Sequence, residues 1–124
     1  MNSSKKGYQE AVSYLYNLQK FGIKFGLSKT SNLLKAFGNP HKGQKYIHIG
    51  GTNGKGSTVA YLASLCDVTG LRYGCYTSPH IFRFNERISV MGEPVSDDHL
   101  VEAFERVEAA RDQISLTYFE FTTL

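Results

Sequence analysis

Apolar residues recur at helical spacing in four stretches of this chain and cluster in short runs in three others. The first stretch, Tyr8 to about Gln19, carries Val12, Leu15, Tyr16 and Leu18, and Gly22 and Gly26 break its pattern. A short second helix is predicted to hold Leu33, Leu34 and Phe37 and to stop at Gly38, with Pro40 beyond it. In the third stretch, from Ser57, the residues Val59, Leu62, Ala63 and Cys66 fall at i, i+3, i+4 and i+7. Gly70 stands where a C-cap glycine ends such a helix. The fourth repeats the spacing with Leu100, Ala103, Phe104 and Val107 and should reach about Asp112. Ser96 is its N-cap, and Asp97 and Asp98 lie in the first turn, where the helix dipole favours acids.

The short runs are Tyr46-Ile47-His48-Ile49, Tyr73 to Thr77, and Ile88 to Met91, the last closed by Gly92 and Pro94. Strand, glycine-rich loop, helix and strand in succession make a βαβ unit, whose two strands lie parallel in one sheet. The predicted class is therefore α/β, with a mainly parallel sheet flanked by helices. On this reading His48 is a core histidine of a buried strand. Ser78-Pro79-His80 is a loop, because Pro79 biases Ser78 away from helix. Thr117 to Leu124 reads as a helix start, with Thr117 and Glu120 at capping-box spacing. One turn of helix is not stable alone, so the domain is expected to be incomplete at Leu124.

Composition narrows the class without changing the pattern. The chain has 124 residues, 41% hydrophobic and 20% charged, as a globular domain does. No stretch approaches the roughly 18 apolar residues of a membrane helix, and no secretory signal opens the chain. A cytoplasmic protein is expected, with no membrane partner. Cys66 and Cys75 read as reduced core residues, because free cysteine packs as a small hydrophobe. Charge is uneven: residues 1–45 hold eight lysines against Glu10, +7, which leaves −4 for the remainder. The basic half either attracts anionic ligands or is a solvated surface. No zinc spacing, RNA-binding aromatic motif or arginine-rich stretch indicates nucleic acid.

The chemistry gathers at Gly50-Gly51-Thr52-Asn53-Gly54-Lys55-Gly56-Ser57. A helix N-terminus offers unpaired N–H groups and a positive dipole end. Glycines let backbone close on an anion, a lysine reaches the outer phosphates, and a hydroxyl coordinates magnesium. All of these are present. The strict pattern is Gly, four residues, then Gly-Lys-Ser/Thr, and the chain departs from it twice. Ile49 holds the first glycine position, and Gly56 delays the hydroxyl to Ser57. The alternative is a glycine-rich structural turn; the predicted strand before the loop and helix after it favour a phosphate loop.

Those departures point to a family: Gly51 to Ser57 resembles the P-loop of the folylpolyglutamate synthases and dihydrofolate synthases, within the Mur ligase superfamily. The likeness continues through Tyr76-Thr77-Ser78-Pro79-His80, Arg83-Phe84-Asn85-Glu86-Arg87-Ile88 and Leu116-Thr117-Tyr118-Phe119-Glu120-Phe121. Lys24 to Thr30 is also similar, although an arginine is frequent in the family where Lys29 stands. The resemblance implies that residues 1–124 are the N-terminal part of the ATP-binding domain of a ligase, with the C-terminal domain absent. It implies a monomer that joins L-glutamate to dihydropteroate or a reduced folate through an acyl phosphate.

The resemblance also implies site residues. Thr52, Asn53, Gly54, Lys55, Gly56 and Ser57 would bind ATP, and Ser78 would bind Mg2+. Taken alone, Ser78 is a plain loop serine before proline. Thr117, Tyr118, Phe119 and Glu120 would contact the pteroate part of the substrate. Equally, Glu120 caps its own helix, and Phe119 and Phe121 are core. No chemistry is assigned to His80, Arg83, Glu86 or Arg87. The family's further metal-binding Glu and His and its modified lysine fall beyond Leu124, so the isolated chain is expected to be inactive, with no catalytic residue of its own. The alternatives are a Mur-type ligase of cell-wall precursors, against which Gly56 argues, and a non-catalytic nucleotide-binding remnant.

Overall fold

The computed structural model describes residues 2–18 and 27–124, the side chains of residues 2–6 and 119 excepted. The expected breaks at Gly22 and Gly26, and the similarity over Lys24 to Gly26, lie outside the described residues. The chain divides into two compact units, Met1–Gln44 with Asp97–Leu124, and Lys45–Ser96.

The first unit is helical. Helices α1 (Asn2–Leu18) and α2 (Ser28–Ala36) each pack on α4 (Asp97–Arg111) and α5 (Tyr118–Thr123). The predicted apolar spacing explains most of this core. Leu15 and Leu18 of α1, Leu33 of α2, and Leu100 and Val107 of α4 are buried, together with Leu116 and Phe121. The Phe121 ring meets those of Tyr14 and Phe104 edge-on, at 5.8 and 5.7 Å between centroids. Tyr16, expected among the apolar positions of α1, instead lies at its edge and stacks on Tyr118 at 6.4 Å. Arg111 ends α4 with a fork of hydrogen bonds. It donates to both oxygens of Glu108 at 2.8 and 2.7 Å, to the Ile114 carbonyl at 3.1 Å, and to the Tyr14 hydroxyl. Glu108's carboxyl is held below the usual carboxylate range, first by the hydrogen bond from Arg111.

The second unit contains α3 (Lys55–Thr69), β1 (Gly74–Tyr76), a 3-10 turn at Phe84–Arg87, β2 (Ile88–Val90) and β3 (Glu93–Pro94). Its sheet corrects the sequence-based expectation. The order is β1-β2-β3 and both pairings are antiparallel, with Cys75 opposite Ser89 and Val90 opposite Glu93. A parallel pair needs a crossover of a dozen or more residues, usually through a helix. Here residues 77–87 return the chain directly. Between β2 and β3 the turn residues Met91 and Gly92 both have positive φ, 52° and 82°, the geometry of a tight hairpin. The sequence reading stopped the strand there and missed β3.

Tyr46–Ile49 forms no strand. An isolated β-prone run leaves its N–H and C=O groups without a ladder, and none of the three strands pairs with it. His48 is accordingly exposed, not a core histidine. Helix α3 starts two residues before Ser57 and stops at Gly70 as expected. Its predicted inner face, Val59, Leu62, Ala63 and Cys66, is half-buried, and no α3 residue is fully buried. A second apolar stripe, Tyr61, Leu65 and Val68, is 75%, 60% and 85% exposed. Tyr73 ties the end of this helix to the sheet by donating its hydroxyl to Asp67 at 2.9 Å. That bond pushes the Tyr73 pKa up to about 12. Cys66 and Cys75 are both free thiols and half-buried.

Burial predicts two different responses to the same truncation. Leu15→Ala removes a fully buried side chain and is expected to cost about 3 kcal/mol. Leu65→Ala, on the exposed stripe, is expected to stay within about 0.5 kcal/mol. Urea unfolding of both variants decides this, and equal losses would contradict the burial difference.

Candidate functional site: a glycine-rich loop and a serine loop

The glycine-rich loop opens directly onto α3. Gly54 is the N-cap, with φ of 77° and ψ of 6°. That left-handed conformation is strained for any residue with a Cβ, and it turns the loop into the helix axis. No side chain caps the helix. Thr58 instead sends both its N–H and its hydroxyl back to the Gly54 carbonyl, at 3.0 and 2.8 Å. The N–H groups of the first turn therefore face the loop with the positive end of a 15-residue helix behind them. Lys55, the first helical residue, reaches back across the loop and donates its ammonium to the Gly51 carbonyl. Thr52, Asn53, Gly54, Lys55, Gly56 and Ser57 are all exposed. A Cβ on Gly50, Gly54 or Gly56 would meet nothing within 4 Å, so the space over the loop is open. These are the features of an anion site at a helix N-terminus.

Ser78 lies in the same unit, in the loop that leaves β1, and is exposed. Its peptide bond to Pro79 is cis. The structure surrounds it with contacts that sequence reasoning did not find. Thr77 donates its N–H to the Arg87 carbonyl at 2.8 Å, and Arg87 Nε donates to His80 Nδ1 at 2.7 Å. The Glu86 carboxylate accepts three consecutive backbone N–H groups, those of Ile81, Phe82 and Arg83, at 2.8, 3.0 and 2.8 Å. Those bonds, Ile81's first, hold its carboxyl below the usual range. The available signal was the spacing of Glu86 three residues after Arg83, from which its carboxylate reaches back to the Arg83 N–H at the start of the 3-10 turn. Among the described residues no group of three His, Cys, Asp or Glu side chains could hold a metal. Magnesium usually keeps several waters and takes oxygens from substrate phosphates. A serine hydroxyl in the unit that carries the anion loop fits it as one ligand of such a set.

Thr117, Tyr118, Phe119 and Glu120 fall in the other unit. Thr117 and Glu120 are buried and form the predicted capping box. Thr117 Oγ1 accepts from the Glu120 N–H at 3.2 Å, and Glu120 Oε1 accepts from the Thr117 N–H and hydroxyl at 3.2 and 2.9 Å. One Glu120 oxygen is thus committed to its own helix. Tyr118 stacks on Tyr16, Phe121 is core, and the Phe119 side chain lies outside the described residues. Lys29 donates to the Ser115 carbonyl at 2.7 Å, two residues before Thr117.

No protein-family model matches the chain. It is 47% identical over 91 residues to a dihydrofolate synthase/folylpolyglutamate synthase of Bacillus subtilis, 73% of this chain and 21% of that protein. A bifunctional folylpolyglutamate synthase/dihydrofolate synthase of Yersinia pestis, solved with AMPPNP and Mn ion, superposes with a TM-score of 0.84. That match has 35% identity and covers 94% of this chain and 28% of the other. A solved bifunctional synthase with Mn, AMPPNP and L-glutamate bound has a TM-score of 0.80 at 34% identity, covering 91% of this chain and 28% of its own. The chain spans less than a third of each relative. With likeness in sequence and fold across nearly all its residues, the chain belongs to the folylpolyglutamate synthase/dihydrofolate synthase family.

Proposed function

We propose that this chain is the nucleotide-binding portion of an ATP-dependent ligase that joins L-glutamate to dihydropteroate, to reduced folates, or to both. The observation that carries the reading is the uncapped N-terminus of α3 behind a glycine loop, with Lys55 at the loop mouth. It is supported by the AMPPNP, Mn and L-glutamate named for the relatives. AMPPNP carries nitrogen in place of the β–γ bridging oxygen, so it stands in for ATP.

On this reading Thr52, Asn53, Gly54, Lys55, Gly56 and Ser57 bind the ATP phosphates. The N–H groups of α3 face them, and Lys55 exchanges the Gly51 carbonyl for a phosphoryl oxygen. Ser78 offers its hydroxyl to Mg2+, which when bound neutralises charge on the phosphates. The substrate carboxylate attacks the γ-phosphorus, and ADP departs. The amino group of glutamate then attacks the acyl phosphate, forming the amide and releasing phosphate. The protein's share is to hold these groups in line and keep water out. Thr117, Tyr118, Phe119 and Glu120 would take the flat pteroate end, with aromatic rings to stack on. The Glu120 oxygen outside its capping bonds is the acceptor for ring N–H groups. Residues 1–124 are then the first part of the ATP-binding domain, and the further ligands and the C-terminal domain come from sequence that this chain lacks.

Two measurements test the proposal. Titration of ATP with magnesium into this chain is expected to give an affinity that Lys55→Ala lowers about tenfold, the scale of one lost charge-assisted hydrogen bond. Equal affinities would count against the phosphate-loop assignment. For the reaction, the matched stretch of the Bacillus subtilis relative is replaced by this chain. The chimera is expected to release phosphate when given ATP, glutamate and either dihydropteroate or a reduced folate, and the isolated chain to release none. A folded, ATP-binding chimera that ligates neither substrate would overturn the ligase reading.

A further inference from the structure

The loop that carries Ser78 is not held in place by burial. Ser78, Pro79, Ile81, Phe82 and Arg83 are all exposed, Ile81 at 80% and Phe82 at 88%. Among the described residues no strand pairs with residues 78–83, and no helix includes them. An exposed loop without packing or a ladder ordinarily samples many conformations. A hydroxyl on such a loop would be a poor metal ligand, because ligand oxygens bind well when their orientation is fixed beforehand.

The His80 ring meets the buried Phe84 ring edge-on at 5.8 Å, and hydrogen bonds to two adjacent residues supply the rest of the order. Arg87 holds both flanks of Ser78-Pro79: its carbonyl takes the Thr77 N–H, and its Nε reaches His80 Nδ1. The guanidinium is itself fixed, lying 5.5 Å from the centroid of the buried Phe84 ring. Because Arg87 Nε always carries a proton, His80 Nδ1 is the acceptor. Glu86 continues the clamp through Ile81, Phe82 and Arg83 with both carboxylate oxygens. Three N–H bonds to one carboxylate are charge-assisted, and such bonds are short and about twice as strong as neutral ones.

We propose that Glu86 is a positioning residue for the metal site: by clamping the N–H groups of Ile81, Phe82 and Arg83 it fixes the loop that aims the Ser78 hydroxyl. The proposal rests on the reading of Ser78 as a Mg2+ ligand. It differs from a purely structural cap in what it predicts. A cap would affect the stability of the 3-10 turn alone, whereas a positioning residue changes metal affinity and leaves metal-free nucleotide binding intact.

The experiment uses this chain with Mn2+ as the probe, followed by electron paramagnetic resonance in the presence of ATP, alongside amide hydrogen exchange. Glu86→Gln keeps the shape and removes the charge. It is expected to speed exchange at Ile81, Phe82 and Arg83 and to weaken Mn2+ binding by about 10- to 100-fold, the usual cost of losing an outer partner of a metal ligand. ATP affinity without metal should be unchanged. Ser78→Ala is expected to weaken Mn2+ binding while exchange at 81–83 stays slow. Should Glu86→Gln fail to fold, Glu86→Asp decides, since it keeps the charge on a side chain one methylene too short for all three bonds. Weaker Mn2+ binding in Glu86→Asp supports the proposal, and wild-type binding overturns it. Normal Mn2+ binding in Glu86→Gln, with Ser78→Ala impaired, overturns the positioning role and spares the metal site. Normal Mn2+ binding in Ser78→Ala overturns the metal reading itself.

Discussion

Three consecutive N–H groups, those of Ile81, Phe82 and Arg83, have no ladder or helix turn to receive them, and one carboxylate takes all three. The same requirement shapes the rest of the chain. A buried or ordered backbone polar group without a partner costs about as much as a lost hydrogen bond. Tyr46–Ile49 therefore forms no strand where none of the three described strands pairs with it, and residues 88–90 have a strand on both sides and do. At α5 the partner is a side chain: Thr117 and Glu120 exchange hydrogen bonds across the first turn. This local closure lets a six-residue helix persist, with Phe121 seated between Tyr14 and Phe104.

Much of this was legible in the sequence because it depends on neighbours. Helix periodicity located α2, α3 and α4, and the glycines at 38 and 70 lie where the helices end. The capping box at Thr117 is a four-residue pattern, so it could be read without knowing the fold. The start of α1 was missed, because residues 2–7 carry no apolar stripe. Sheet topology was not legible either. Whether two β-prone runs pair depends on what lies beside them, and strand–loop–helix–strand is only a frequent arrangement. His48 was misplaced for the same reason, since its burial followed from a strand that does not form.

The candidate site divides along the same line. Gly50 to Ser57 is contiguous, so the candidate loop could be picked out from the sequence, and the departures at Ile49 and Gly56 pointed to the family better than a strict match. The surroundings of Ser78 were not visible. Arg87 holds His80 across seven residues, and Glu86 reaches back three to five. No periodicity marks such contacts. The loop has to fold back on itself before they exist, and that return is set by the pairing of Tyr76 with Ile88. Even the apolar pattern of α3 was half legible. Its predicted face is the more buried one, yet the stripe of Tyr61, Leu65 and Val68 opposite gives the helix apolar residues on both sides, the pattern of a helix enclosed on both faces.

The contrast between α5 and α3 follows from the same rule. Both helices begin with N–H groups that the helix cannot satisfy. In α5 a threonine and a glutamate consume them, and the start of the helix is buried. In α3 the N-cap is a glycine with no side chain to offer, the hydroxyl of Thr58 turns back to a carbonyl, and the first turn is exposed. A serine or aspartate at position 54 would stabilise the helix by about 1 kcal/mol in an ordinary setting, but it would occupy the groups that an anion needs. The left-handed backbone at Gly54 makes that substitution costly as well. An unsatisfied helix end, kept open by a residue that cannot close it, is what the proposed phosphate site requires, and on that proposal it sets the terms on which Lys55 and Ser57 would act.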